Sequence, residues 1–156
     1  MKKFCAAVFL LAFAAGLSLG GSTELLGPVQ REDILKHSPE WQTVVASYNP
    51  KPEPIEKLRS LGREITVEIY FGSWCPDSRN RVSEYFKILD IADCPLIQTR
   101  YVGIPEDKAK RPHYFQGRSV ERLPTFIVFV NGREKGRIVE TPKASLEEDL
   151  VAILAE

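Results

Sequence analysis

Between residues 64 and 103, the sequence pattern changes from that of a strand to that of a helix and back to that of a strand. "EITVEIYF" (64–71) is rich in β-branched and aromatic residues and predicts a strand. From 77 to 91 the apolar residues recur at helical spacing with charged residues between them, which predicts an amphipathic helix. "PLIQTRYVG" (95–103) predicts a second strand. A strand, a helix and a strand in this order predict a parallel pair joined by a right-handed crossover.

The second half of the chain contains a hairpin signal. "TFIVFV" (125–130) and "REKGRIVE" (133–140) flank Asn131-Gly132, a pair typical of tight turns between antiparallel strands. A last helix is predicted after Ser145, because Ser145 and Glu148 form a capping box. We therefore predict an α/β fold with a mixed four-stranded sheet, made of a βαβ unit and a β-hairpin and flanked by helices.

The N-terminal segment has the pattern of a secretory signal. Lys2 and Lys3 precede an apolar stretch at 4–19, and small residues follow it. We predict a signal peptide at 1–22 and export to the periplasm or another extracytoplasmic compartment. The apolar stretch is short for a membrane span of about 20 residues, and an uncleaved N-terminal anchor is the alternative.

The rest of the chain divides into two predicted parts. Residues 23–63 contain turn signals and short helical pieces, with "NPKPEP" breaking them, so they predict an N-terminal helical extension. Residues 64–156 form the predicted α/β domain. Acidic and basic residues number 21 each, which predicts no nucleic-acid partner. We expect no membrane contact beyond the signal segment, and a monomer.

The number and spacing of the cysteines limit the disulfides and metal sites that the chain can form. Cys5 lies in the predicted signal, which leaves Cys75 and Cys94. The predicted helix between them is about 22 Å long, whereas a disulfide needs Cα atoms within about 7 Å. We therefore expect no bridge, and we expect Cys94 to be a small buried residue. The two histidines and the cysteines have no metal-ligand spacing, and no dinucleotide fingerprint is present, so no metal or cofactor is predicted.

Cys75 stands where the first strand runs into the helix, in "WCPDS". Unpaired N–H groups and the positive end of the helix dipole favour a thiolate at such a position, and a thiolate is the nucleophilic form of cysteine. The hydroxyl of Ser78, one turn further on, is predicted to donate a hydrogen bond to the sulfur. The charge of Asp77 opposes the thiolate.

These residues resemble the two signatures of the thioredoxin-like superfamily. "WCPDS" resembles the active-site turn of that family, and "RLPTFIVFVNGREKGRIV" resembles its second signature. The resemblance covers about residues 64–155 and implies a thioredoxin fold with Cys75 as the nucleophile. It also implies that Pro124 is cis and lies against Cys75. Trp74, Pro76, Leu123 and Pro124 would shape the groove that binds an extended substrate.

The chain departs from the family pattern at two positions. Ser78 replaces the second cysteine of Cys-x-x-Cys, and Ile69 stands where the family commonly has a buried carboxylate. We therefore expect thiol-disulfide exchange through mixed disulfides at Cys75 alone, with protein or small-molecule thiols and disulfides as partners and Ser78 as a modulating residue. The alternative is a non-redox binding or chaperone-like module.

Overall fold

The computed structural model describes residues 24–155, so the predicted signal peptide lies outside the described residues. Its elements are, in order, β1 (Gly27–Val29), α1 (Arg31–His37), α2 (Glu40–Ser47), α3 (Pro52–Arg59), β2 (Ile65–Phe71), α4 (Pro76–Ala92), β3 (Ile97–Gly103), a 3₁₀ turn (Arg111–Tyr114), β4 (Thr125–Val130), β5 (Arg133–Val139) and α5 (Leu146–Ala155). Within residues 24–155, no helix has both the length and the apolar character needed to span a membrane.

The strands form one mixed sheet in the order β1-β3-β2-β4-β5. β2 and β3 are parallel, and β4 and β5 form the antiparallel hairpin, as predicted. At the turn, Asn131 has φ 51° and Gly132 has φ 74°, the left-handed conformations that a type I′ turn requires. The α/β fold is confirmed.

The sheet has five strands rather than the predicted four. β1 lies in the predicted N-terminal extension, for which no strand was expected, and it pairs antiparallel with β3, with Gly27 opposite Gly103. Its three residues include a glycine and a proline, both of which are depleted in strands, so local propensity does not indicate it. Pairing with β3 at the sheet edge, a long-range contact, determines this strand.

The two faces of the sheet are covered differently. Alternate residues of β2, among them Ile65, Ile69 and Phe71, pack with the helices in the main core. Tyr70 of the same strand faces a smaller cluster formed with the connection between β3 and β4. The helices therefore cover one face, and this long connection covers the other.

The described part of the predicted extension belongs to the main core. α2 and α3 match the two helices predicted there, although α2 begins at Glu40 and α1 was not predicted. Trp41 is 1% exposed and meets the ring of Phe71 edge-on, with 5.8 Å between ring centroids. Residues 24–63 thus bury apolar surface of the same sheet that carries the site.

Glu147, at the start of α5, connects this extension to the last helix. Its carboxylate accepts hydrogen bonds from the Tyr48 hydroxyl at 2.6 Å and from Lys51 N at 2.9 Å. Burial acts to raise the pKa of Glu147, but these hydrogen bonds outweigh burial, and the net pKa is lowered. Burial and the same carboxylate raise the pKa of Tyr48.

Replacing Glu147 by glutamine is expected to reduce the free energy of unfolding at neutral pH by about 1–2 kcal/mol, because hydrogen bonds to a buried charge are lost. The lowered pKa means that the carboxylate stabilises the fold above its unfolded-state pKa, and that this contribution is lost as pH falls through the folded-state pKa. The difference between wild type and Glu147→Gln, measured by urea unfolding, should therefore shrink as the pH is lowered below the ordinary pKa of glutamate, about 4.3.

Glu148 supplies the matched control. It lies beside Glu147, but its ion pair with Lys51 is exposed, so Glu148→Gln should change stability much less. An equal loss for the two variants would contradict the role assigned to Glu147.

Candidate active site

The turn that carries Cys75 begins at Gly72, immediately after β2, and ends where α4 starts. Cys75 N donates to Gly72 O at 3.0 Å, which closes a four-residue turn, and Arg79 N donates to Cys75 O at 3.0 Å, the first helical hydrogen bond. Pro76 occupies the first helical position, where its fixed φ suits the helix and its missing N–H is not needed. Cys75 is therefore the N-cap residue of α4, with its half-buried thiol beside the first turn.

Ser78 lies beneath this turn. It is fully buried, and its Oγ accepts a hydrogen bond from Gly72 N at 3.1 Å. The hydrogen bond of the Cys75 thiol goes instead to Leu123 O, at 3.9 Å. The expected donation from Ser78 to the sulfur is not among the hydrogen bonds of residues 24–155. Ser78 holds the backbone of the turn in this structure.

Trp74 forms one wall of the site. Its Nε1 donates to Ile104 O at 3.0 Å, and the guanidinium carbon of Arg111 lies 5.2 Å from the centroid of the indole ring. The indole also lies close over Gly72, where a Cβ would come within 2.7 Å of it. Only glycine at 72 leaves room for Trp74 in this orientation.

Leu123 and Pro124 form the opposite side. The peptide bond between them is cis, as the resemblance implied, and the hydrogen bond from Cys75 to Leu123 O places the two segments against each other. Glu140 N donates to Pro124 O at 2.8 Å, which connects this segment to the end of β5. Both residues are buried.

An open groove of about 480 Å³ lies between these walls. Of the residues predicted for the site, Trp74, Cys75 and Leu123 line it, whereas Pro76, Ser78 and Pro124 do not. All seven remaining lining residues are charged, four acidic and three basic. Arg122 and Glu140 pair across it at 2.9 Å. The groove is therefore polar around its thiol, with little net charge.

Several of these charged residues come from the connection between β3 and β4. An ion pair ties this connection to the sheet. The carboxylate of Glu68 is 6% exposed and accepts two hydrogen bonds from the Arg118 guanidinium, at 2.8 Å and 3.0 Å. The hydrogen bond to Glu68 raises the pKa of Arg118. No sequence signal pairs these two residues, because 50 positions separate them.

Cys94 lies beyond the other end of α4. The helix has 17 residues, which corresponds to about 25 Å, and both Cys75 and Cys94 are free thiols. Cys94 is half-buried rather than buried as expected. It follows Asp93, the C-cap of α4, whose φ is 47°. Ile69, in place of the family carboxylate, is fully buried. Among residues 24–155, no three His, Cys, Asp or Glu side chains are placed to hold a metal ion.

Fold and site together define a thioredoxin-fold protein with a cysteine at the N-terminus of the helix that follows the first βα turn. A family model described as thioredoxin matches residues 30–152, and the chain belongs to this family. No curated protein matches the sequence.

Two solved structures share the fold. A protein of unknown function from Pseudomonas aeruginosa, PA1234, is 19% identical with a TM-score of 0.56, and the match covers 82% of this chain and 81% of that one. An HIV epitope-scaffold is 18% identical with a TM-score of 0.55, covering 82% and 83% of the two chains. At these identities the likeness shows the fold alone.

Proposed function

We propose that this protein carries out thiol-disulfide exchange through Cys75 alone. The Cys75 thiolate attacks one sulfur of a substrate disulfide, which forms a Cys75–substrate disulfide and expels the other substrate sulfur as a thiolate. A second thiolate, from another molecule, then attacks the substrate sulfur of this intermediate. That step frees Cys75 and leaves a disulfide between the substrate and the second thiol. The protein gains and loses no electrons over the cycle.

The placement of Cys75 carries the proposal. Its thiol is partly accessible, it caps the N-terminus of a 17-residue helix, and it opens into a groove between Trp74 and Leu123. The N-terminus of a helix is a recurrent position for nucleophilic cysteines in proteins. An extended chain bound in this groove would lie beside Cys75, with the backbone of Leu123 within its reach.

The requirement for an external thiol follows from the neighbours of Cys75. Ser78 cannot form a disulfide, and its oxygen already accepts a hydrogen bond from Gly72 N. Cys94 is at the far end of α4. In the described part of the chain, no other cysteine is present to release the mixed disulfide. The partner that supplies the second thiol would be a protein or a small molecule in the exported compartment that the N-terminal sequence predicts.

Trapping the mixed disulfide tests this proposal. Reduced protein treated with 2-hydroxyethyl disulfide should gain one mercaptoethanol adduct on Cys75, about tenfold faster than on Cys94, because Cys75 lies at a helix N-terminus. Peptide mapping by mass spectrometry after acid quenching identifies the modified cysteine. The adduct should persist until a monothiol such as glutathione is added.

Two variants control this measurement. Cys94→Ala should react like wild type, whereas Cys75→Ala should lose the fast phase. Slow and equal modification of the two cysteines in wild type would reject exchange at Cys75. That result would favour the alternative, a non-redox binding or chaperone-like module with the same fold.

A further inference from the structure

The N-terminal residues before α1 cross the sheet edge next to the active-site turn. We call residues 24–29 the strap; they comprise Glu24 to Leu26 and the strand β1. β1 pairs with the last three residues of β3, and β3 lies beside β2, whose end leads into the turn of Cys75. The strap therefore reaches the same end of the sheet as the proposed site.

The strap lies unusually close to β3. A Cβ on Gly103 would be 2.1 Å from Leu25 O, a distance that real Cβ atoms essentially never show. It would also be 3.1 Å from Leu26 N, which is closer than most real Cβ contacts. The backbone of the strap thus occupies the space that any other residue at 103 would need. This close approach brings Leu25 within reach of the turn.

Two hydrogen bonds join the strap to the segments on either side of Trp74, namely the turn that contains Ser73 and the connection that follows β3. Leu25 N donates to Ser73 Oγ at 3.1 Å in a partly buried contact, and Ser73 directly precedes Trp74. The carboxylate of Glu24 accepts from Glu106 N at 2.7 Å, and Glu106 lines the groove. One strap residue thus holds the turn, and its neighbour holds the connection that follows β3.

The other residues of the turn before Cys75 are also held by hydrogen bonds. Ser78 holds Gly72 from beneath, and Ile104 O holds the indole of Trp74. Ile104 N in turn donates to Phe71 O at 2.8 Å, directly before the turn. The strap supplies the remaining anchor, at Ser73, through the N–H of Leu25. Every residue of the turn before Cys75 is thereby hydrogen-bonded through its backbone or side chain to a different element.

From this geometry we infer that the strap is part of the active site, with Ser73 and Glu24 as positioning residues that hold Trp74 and Cys75 in place for exchange. The inference rests on the proposed function for its consequence. A misplacement of about 1 Å at a reacting group can slow a reaction by as much as about a hundredfold, so loosening the turn should slow exchange at Cys75.

The test compares two double variants of the full chain. Ser73→Ala with Glu24→Ala removes both acceptors, whereas Ser73→Thr with Glu24→Gln keeps an oxygen acceptor at each position. The alanine pair should form the mercaptoethanol adduct on Cys75 about tenfold more slowly than wild type, and the Thr/Gln pair within about twofold of it. Both pairs should remain folded by circular dichroism at the assay temperature.

Acrylamide quenching of tryptophan fluorescence gives a second readout that needs no exchange activity. Trp41 is 1% exposed, so quenching reports mainly on the half-buried Trp74. Quenching should increase in the alanine pair only. Unchanged quenching and an unchanged adduct rate in that pair would overturn the inference and leave the proposed function standing. Failure of wild type itself to form the adduct would instead reject the proposed function, and quenching would still decide whether the strap positions Trp74.

Discussion

Replacing Ser78 by cysteine is expected to convert this protein into a dithiol enzyme that releases its own mixed disulfide. Ser78 lies one helical turn after Cys75, within the Cα separation that a disulfide needs. The new thiol would attack the Cys75–substrate disulfide from within the same molecule, at a high effective concentration. With dithiothreitol as the reductant, Ser78→Cys should reduce insulin about tenfold faster than wild type or more.

Ser83 offers a matched control on the same helix. It is also a fully buried serine of α4, but it lies eight positions after Cys75, about 12 Å along the helix axis, too far for a bridge. Ser83→Cys should therefore leave insulin reduction at the wild-type rate. Thiol titration after mild oxidation should show two fewer free thiols in Ser78→Cys only. A Ser78→Cys protein that keeps all its thiols under oxidation would contradict the geometry described here.

Gly103→Ala is expected to lower the free energy of unfolding by about 3 kcal/mol, because the added methyl group would overlap the backbone of Leu25. Neither segment can move at low cost, since Gly103 pairs with both Gly27 of β1 and Phe71 of β2. The strap is also held by the hydrogen bonds of Glu24 and Leu25. Relief of the overlap would separate the strap from β3. Chemical denaturation measures the loss, and hydrogen exchange of the amides of Leu25, Leu26, Gly27 and Val29 should report the separation.

Gly62→Ala is the matched control for this substitution. Gly62 has no atom within 4 Å of an added Cβ and does not adopt a left-handed conformation, so its replacement should change stability by less than about 0.5 kcal/mol. A loss of similar size at the two positions would show that the methyl group is tolerated at 103 and that the strap is not tightly packed there.

The elements that were predicted from the sequence are those whose conformation depends on residues close to one another in the chain. The β-branched and aromatic residues of β2, the helical period in α4 and the Asn131-Gly132 turn each predicted an element that the structure contains. The two family signatures located Cys75 and the cis bond before Pro124 in the same way, because each signature is a short contiguous stretch.

Contacts between distant residues had no such signal. Glu68 and Arg118 look like ordinary surface charges in the sequence, but one lies on a central strand and the other on the connection that covers it. Ser78 was expected to donate a hydrogen bond to the sulfur of Cys75, whereas its oxygen accepts one from Gly72 N. These pairings depend on how the sheet brings separate segments together.

The amino-acid sequence alone therefore predicted the α/β fold, the place of Cys75 at the start of the helix and its separation from Cys94, because period, turn chemistry and spacing are local properties. Packing established the fifth strand, the groove and the hydrogen bonds that hold the turn. β1 has little strand propensity of its own, and it forms because Gly103 lets the backbone at Leu25 approach β3. Such a close contact depends on two segments that are distant in sequence, so neither segment alone predicts it.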